Sequence, residues 1–243
     1  MKRLLLLALI SLEALFGIDL KQTEGPNDFK THAQAVKFCQ EEPGWRLPTY
    51  RELFRLMTQY PKEITHHNRN YWTGTDFYPD RSMAYQLLVP DMDAKPVTKN
   101  EKLLVLCVKN TPVHDDLRER FDVQETMIYD KVQNLYWQQT TRQERRNKYT
   151  HFEAANYCAA LDLEGKEWRL PTVAEWVSVL DFERFDPVLD KDVFLYTYSR
   201  YYWTSDGLSD FSNEAYVVGM KVGSIAMSSK VNRSFVRCVA KGK

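Results

Sequence analysis

Glycine is scarce in this chain, nine residues in 243. A loop whose backbone amides cradle a phosphate depends on glycine, and none is present. Nor is G-x-S-x-G, which would set a serine nucleophile on a sharp strand-to-helix turn. The five histidines, His32, His66, His67, His114 and His151, form no H-x-x-x-H pair, and no C-x-x-C occurs. The usual zinc spacings are therefore missing. Charge of one sign is also lacking, with 33 basic and 33 acidic side chains. The molecule as a whole carries no field that would gather nucleic acid or an anionic membrane.

Long apolar runs are confined to the first residues, MKRLLLLALISLEALFGID. Lys2 and Arg3 precede a short apolar run, Leu4 to Ile10, and the small Gly17 precedes polar sequence. That pattern reads as a signal peptide over residues 1–17, with an imperfect −3 residue in Leu15. No cysteine follows the apolar run, so no lipid anchor is expected. No later run reaches the roughly 20 apolar residues of a membrane-spanning helix. The expectation is an exported protein, periplasmic or extracellular.

What is present is a repeat. GWRLPT at 44–49 returns as EWRLPT at 167–172. QAVKFC and EAANYC stand upstream, YWTGTD and YWTSDG downstream, and each half closes on a cysteine in LLVLCVK or SFVRCVA. Trp72 to Cys107 and Trp203 to Cys238 each span 35 positions. Four landmarks in one order argue for a repeated domain. The expected organisation is a first, trimmed unit over 18–110, a linker over 111–121 and a fuller unit over 122–243. Four cysteines allow three pairings. Order within each repeat selects Cys39 with Cys107 and Cys158 with Cys238, each bridge tying an early helix to the last strand of its unit.

Thr49 with Glu52, and Thr172 with Glu175, are T-x-x-E capping boxes. Pro48 and Pro171 lie just before the cap, where no helical hydrogen bond is lost. Leu53, Leu56 and Met57, like Trp176, Val179 and Leu180, share one helical face. WRLPT thus reads as a folding signal, with Trp45 and Trp168, Leu47 and Leu170 anchoring the incoming chain. Helices are also expected near 31–41 and 150–162. Strands are expected at 71–75, 84–89 and 103–109, and then at 127–130, 135–138, 202–205, 214–220, 224–229 and 235–240. The 127–130 and 135–138 pair has no evident counterpart in the first half.

This set of motifs resembles the bacterial Lcl C-terminal domain family, from about Asp122 to Lys241 and again, without the opening hairpin, from about Thr31 to Lys109. RLPT is also similar to a segment of formylglycine-generating enzymes, whose fold is related to that of C-type lectins. The resemblance implies an α+β fold of tandem C-type-lectin-like domains. Each would have two helices, a small antiparallel sheet and one disulfide. The best-known member of the family is an adhesin for sulfated glycosaminoglycans, which implies carbohydrate binding and adhesion.

Each candidate chemistry meets its own residues. A formylglycine-type oxidase needs a free late cysteine, and both late cysteines already have helix partners. Calcium-dependent sugar binding lacks E-P-N, Q-P-D and W-N-D. Its nearest carboxylate pairs are Asp91 with Asp93 and Asp206 with Asp210. No metal or cofactor is expected. Two stretches suit binding. RQERRNKY at 142–149 offers Arg142, Arg145, Arg146 and Lys148 to sulfate or carboxylate, unless Glu144 neutralises a merely solvated loop. FLYTYSRYYW at 194–203 offers Tyr196, Tyr198 and Tyr201, with Tyr202 and Trp203 expected in the core. The expectation is a non-enzymatic module for a glycan or other polyanion. The alternatives are an envelope adaptor for a protein partner and a degenerate formylglycine-generating-type enzyme.

Overall fold

The computed structural model describes residues 19–23, 25, 27–61, 64, 69–89, 92–109, 119–207 and 212–242. The expected signal peptide, His66, His67, His114, Asp91, Asp210 and most of the expected linker lie outside the described residues. The chain divides into two compact units, 1–113 and 114–243. Each is α+β, with small antiparallel sheets, two α-helices and one disulfide.

In the first unit, strand β1 (Asp19–Gln22) precedes helices α1 (His32–Cys39) and α2 (Tyr50–Gln59). Strands β2 (Asn70–Asp76), β3 (Met83–Leu88) and β4 (Asp93–Thr98) form a meander, and β5 (Leu106–Lys109) returns to pair with β1. Two of these strands depart from the sequence reading. DLKQ is short and largely polar, so β1 shows no alternation, yet it supplies one strand of the opening pair that the first half was expected to lack. Strand β4 carries Pro96, which a central strand would not tolerate; it survives because β4 is the edge of its sheet.

In the second unit β6 (Phe121–Val123), β7 (Met127–Asp130), β8 (Leu135–Gln138), β9 (Trp168–Arg169) and β13 (Val239–Lys241) form a sheet of order β6-β7-β8-β13-β9. Helices α3 (His151–Ala159) and α4 (Val173–Val179) lie between its strands in sequence, and β10 (Tyr201–Gly207), β11 (Glu214–Gly219) and β12 (Ser224–Ser229) form the second meander. The β7–β8 hairpin has the expected bounds. The expected strand over 235–240 shrinks to β13, with Phe235 making only an isolated bridge to Tyr202. Arg120 and Phe121, read as linker, are structural: Arg120 is buried against Asp130, and Phe121 begins β6.

All four helices begin the same way. Thr31, Thr49, Thr150 and Thr172 each accept from the N3 amide, and Gln34, Glu52, Glu153 and Glu175 return to the cap amide. The arginine of WRLPT completes this device. Arg46 grips Glu52 with two bonds, 2.7 and 2.6 Å, and Arg169 grips Glu175 at 2.9 and 2.6 Å. A bidentate guanidinium therefore fixes the carboxylate that caps the helix. The next motif docks on the first. Gly74 N–H donates to the Pro48 carbonyl at 2.7 Å and Ser205 N–H to that of Pro171 at 2.8 Å. A Cβ at Gly74 would lie 3.2 Å from the Leu47 carbonyl oxygen, so this position takes only a small residue.

The disulfides are Cys39–Cys107 and Cys158–Cys238, as the repeat order selects, and all four cysteines are fully buried. Each sits in its unit's core, beside Trp45 and Trp72 in one and Trp168 and Trp203 in the other. The repeat extends to single hydrogen bonds. The indole of Trp72 donates to the Lys30 carbonyl, and that of Trp203 to the Tyr149 carbonyl, both at 2.7 Å. His32 and His151 stand edge-on to these indoles, their Nε2 atoms on the Thr73 and Thr204 carbonyl oxygens.

Candidate functional site: a basic and aromatic surface on the second unit

Two stretches distant in sequence converge on the second unit. The basic stretch approaches α3 through a 3-10 turn at Glu144–Arg146. The aromatic stretch precedes β10. Arg145 places its guanidinium carbon 5.9 Å from the centre of the Tyr196 ring. Lys148 sits 5.2 Å from the centre of Phe235. Tyr198 and Tyr202 pack on that same Phe235, each at 5.4 Å. The result is a surface on which cations lie beside aromatic faces, a geometry worth about 0.5–1 kcal/mol per exposed pair.

Both stretches hang from two consecutive glutamines at the end of β8. Gln138 donates to the Tyr157 hydroxyl at 2.6 Å, and Tyr157 donates to Glu144 at 2.9 Å. Glu144 also accepts from the Thr141 amide and hydroxyl. Burial would raise the Glu144 carboxyl, but the bonds from Thr141 and Tyr157 outweigh it and hold it below the usual range. Gln139 works on the other side, donating to the Val193 carbonyl and accepting from the Leu195 amide at 2.9 and 3.0 Å.

Arg237 finishes the aromatic loop. It is fully buried, and among the described residues it meets no carboxylate. Its guanidinium donates to the Gln138 and Leu195 carbonyls and to the Thr197 hydroxyl, bracketing Tyr196. Tyr196 sits between them at φ 54°, a left-handed backbone that a tyrosine rarely adopts unaided. Burial of the charge pulls Arg237 down to about 10. Its Nε is left without a partner, so the loop is held by a group that is itself costly to bury.

The structure sorts the expected residues. Glu144 neutralises none of the arginines; its carboxylate is taken by Thr141 and Tyr157. Arg142, Arg145, Arg146 and Lys148 form no ion pair among the described residues. Arg142 and Arg146 are exposed beside Arg145. Tyr196 and Tyr198 join the surface. Tyr201 does not: its ring covers Gly219, on the face of β10 opposite Tyr202. Tyr202 and Trp203 are buried, as expected. Gln138, Gln139, Tyr157, Phe235 and Arg237 were missed. The QQ pair after LYW, and the arginine beside the last cysteine, were the available signals.

The first unit handles its cations differently. Lys30, on the approach to α1, is bonded to Asp28 at 2.8 Å, and Lys21 pairs with Glu41 and Glu42. Among the described residues no group of three or more His, Cys, Asp or Glu could hold a metal ion. Both cysteine pairs are oxidised, so no thiol is offered for redox chemistry.

Residues 126–240, which carry this surface, match the family model of the Lcl C-terminal domain. The second unit is an Lcl C-terminal domain. Within the Lcl domain the match runs from just before β7 into β13 and so includes both glutamines, the basic and aromatic stretches and Arg237. No curated protein matches the chain.

Proposed function

We propose that the Lcl domain is a non-enzymatic binding module for an anionic glycan or other polyanion at the cell envelope. Arg142, Arg145, Arg146 and Lys148 supply charge, and Tyr196 and Tyr198 supply ring faces. The observation that carries this reading is the convergence itself: unpaired cations and aromatic rings, drawn from separate stretches, share one rigidly anchored surface. Arginine can grip sulfate or carboxylate with two parallel bonds, while a tyrosine face suits the apolar face of a sugar ring.

The first unit is a trimmed second copy of the same domain, and both are C-type-lectin-like; the matching caps, disulfides, indole bonds and meanders support this. Export through the N-terminal segment is consistent with two disulfides, which persist in oxidising compartments.

The test is binding to heparin and to neutral dextran at low and high salt. The expected result is salt-sensitive binding to heparin alone, reduced about tenfold or more when Arg145 and Arg146 become Ala. Binding indifferent to salt or to those substitutions would overturn the reading. In that case, capture of one stoichiometric envelope protein would favour the adaptor alternative.

A further inference from the structure

The most exposed large apolar side chains among the described residues are Val231 and Phe152, 78 % and 75 % accessible. They lie at one edge of the Lcl domain. Segments 148–153 and 230–234 run side by side there: Tyr149 and Ser234 exchange both backbone bonds, and His151 N–H donates to the Lys230 carbonyl at 3.0 Å. Arg233 crosses between them, donating to the Lys148 carbonyl and to Glu153, both at 2.9 Å. Phe152 and Val231 each follow a residue of the His151–Lys230 bond.

The first unit is an internal control for what the scaffold itself requires. His32 N–H donates to the Lys99 carbonyl at 3.0 Å, and Lys30 exchanges both bonds with Leu103. The places held by Phe152 and Val231 are occupied there by Ala33 and Asn100, both exposed. The same backbone is thus built without either apolar side chain. The fold does not require either side chain, which leaves both open to an external contact.

We infer that Phe152 and Val231 form a small membrane-docking tip that inserts at the surface of an anionic lipid bilayer. Two side chains fall far short of the roughly 800 Å² per partner of a stable protein interface. They do suit the boundary between headgroups and acyl chains, where an apolar tip ringed by cations is held by both forces. Lys148, Lys230 and Arg233 lie at the base of the tip, against Glu153 on the same segments and Glu214 at the start of the neighbouring β11. Glu153 is held by Arg233, whereas Lys148 and Lys230 form no ion pair among the described residues. The chain is neutral as a whole, so this attraction is local to the edge.

The experiment is co-sedimentation of the full chain with phosphatidylcholine vesicles, with and without phosphatidylglycerol. Binding to the anionic vesicles only is expected. Phe152→Ala/Val231→Asn, which installs the first unit's residues, should weaken it by about tenfold or more. Both side chains are exposed, so the variant keeps its fold and its heparin binding. No vesicle binding, equal binding to both vesicle types, or unchanged binding by the variant would overturn the inference. So would a protein partner lost by the variant when neither protein binds vesicles. Loss of the heparin result alone leaves this inference standing, because neither substituted residue belongs to that surface.

Discussion

Replacing Asp130 with Ala should strongly destabilise the Lcl domain while sparing the first unit. Asp130 is fully buried and receives two bonds from Arg120, at 2.7 and 2.5 Å. Its Oδ1 also accepts the amides of Val132 and Gln133, which shape the β7–β8 turn. Arg120 is buried as well, and continues to the Ser178 carbonyl and hydroxyl of α4. Removing the carboxylate strands a guanidinium in the interior, a loss of roughly 3–5 kcal/mol. The two turn amides reach water and add little. A total near 4 kcal/mol is a large part of the 5–15 kcal/mol typical of a domain. Arg120→Met/Asp130→Ala removes the stranded charge and should recover most of that loss, leaving about 1–2 kcal/mol. Hydrogen exchange read peptide by peptide under increasing denaturant separates the two units. A loss below about 1 kcal/mol for the single variant, or a double variant no more stable than the single, would refute this account.

Three further outcomes follow from the geometry. The disulfides close loops with sequence separations of 68 and 80, so replacing either pair with serine should cost its own unit about 4–4.5 kcal/mol, read from denaturation midpoints. Burial and nearby Lys99 hold His32 below its ordinary value, and burial and Lys230 do the same to His151. The unfolded chain binds more protons at these sites, so their contribution is complete above pH about 6.5 and is lost as pH falls through the lowered folded values. Calorimetry between about pH 7 and 5 should show that loss, and His151→Gln should flatten the Lcl domain's share of it. Arg169→Met frees Glu175 from its clamp; since Arg169 is half exposed, the expected cost is only about 1 kcal/mol, and a cost above about 3 kcal/mol would mean the clamp does more than fix a cap.

The devices that could be read from residue order alone act over short spans. A threonine three positions before a glutamate, followed by residues that share an apolar helical face, marks a helix start locally, so α2 and α4 were legible. KVQN between two alternating runs gave the β7–β8 hairpin. The recurring order of landmarks chose the disulfide pairing, because it put one early and one late cysteine in each half. Strands β1 and β4 were hidden for the converse reason: DLKQ has no pattern of its own, and Pro96 is acceptable only because that strand happens to be an edge. The sequence also marked both halves of the candidate site as suited to binding. Whether they met was a tertiary matter. Bonds from Gln138 and Gln139, and the buried charge of Arg237, link positions from about 20 to 100 residues apart. No local period encodes such links. Tyr201 shows the same limit at a single residue, since one step along β10 separates its ring from that of Tyr202, which is buried against Phe235.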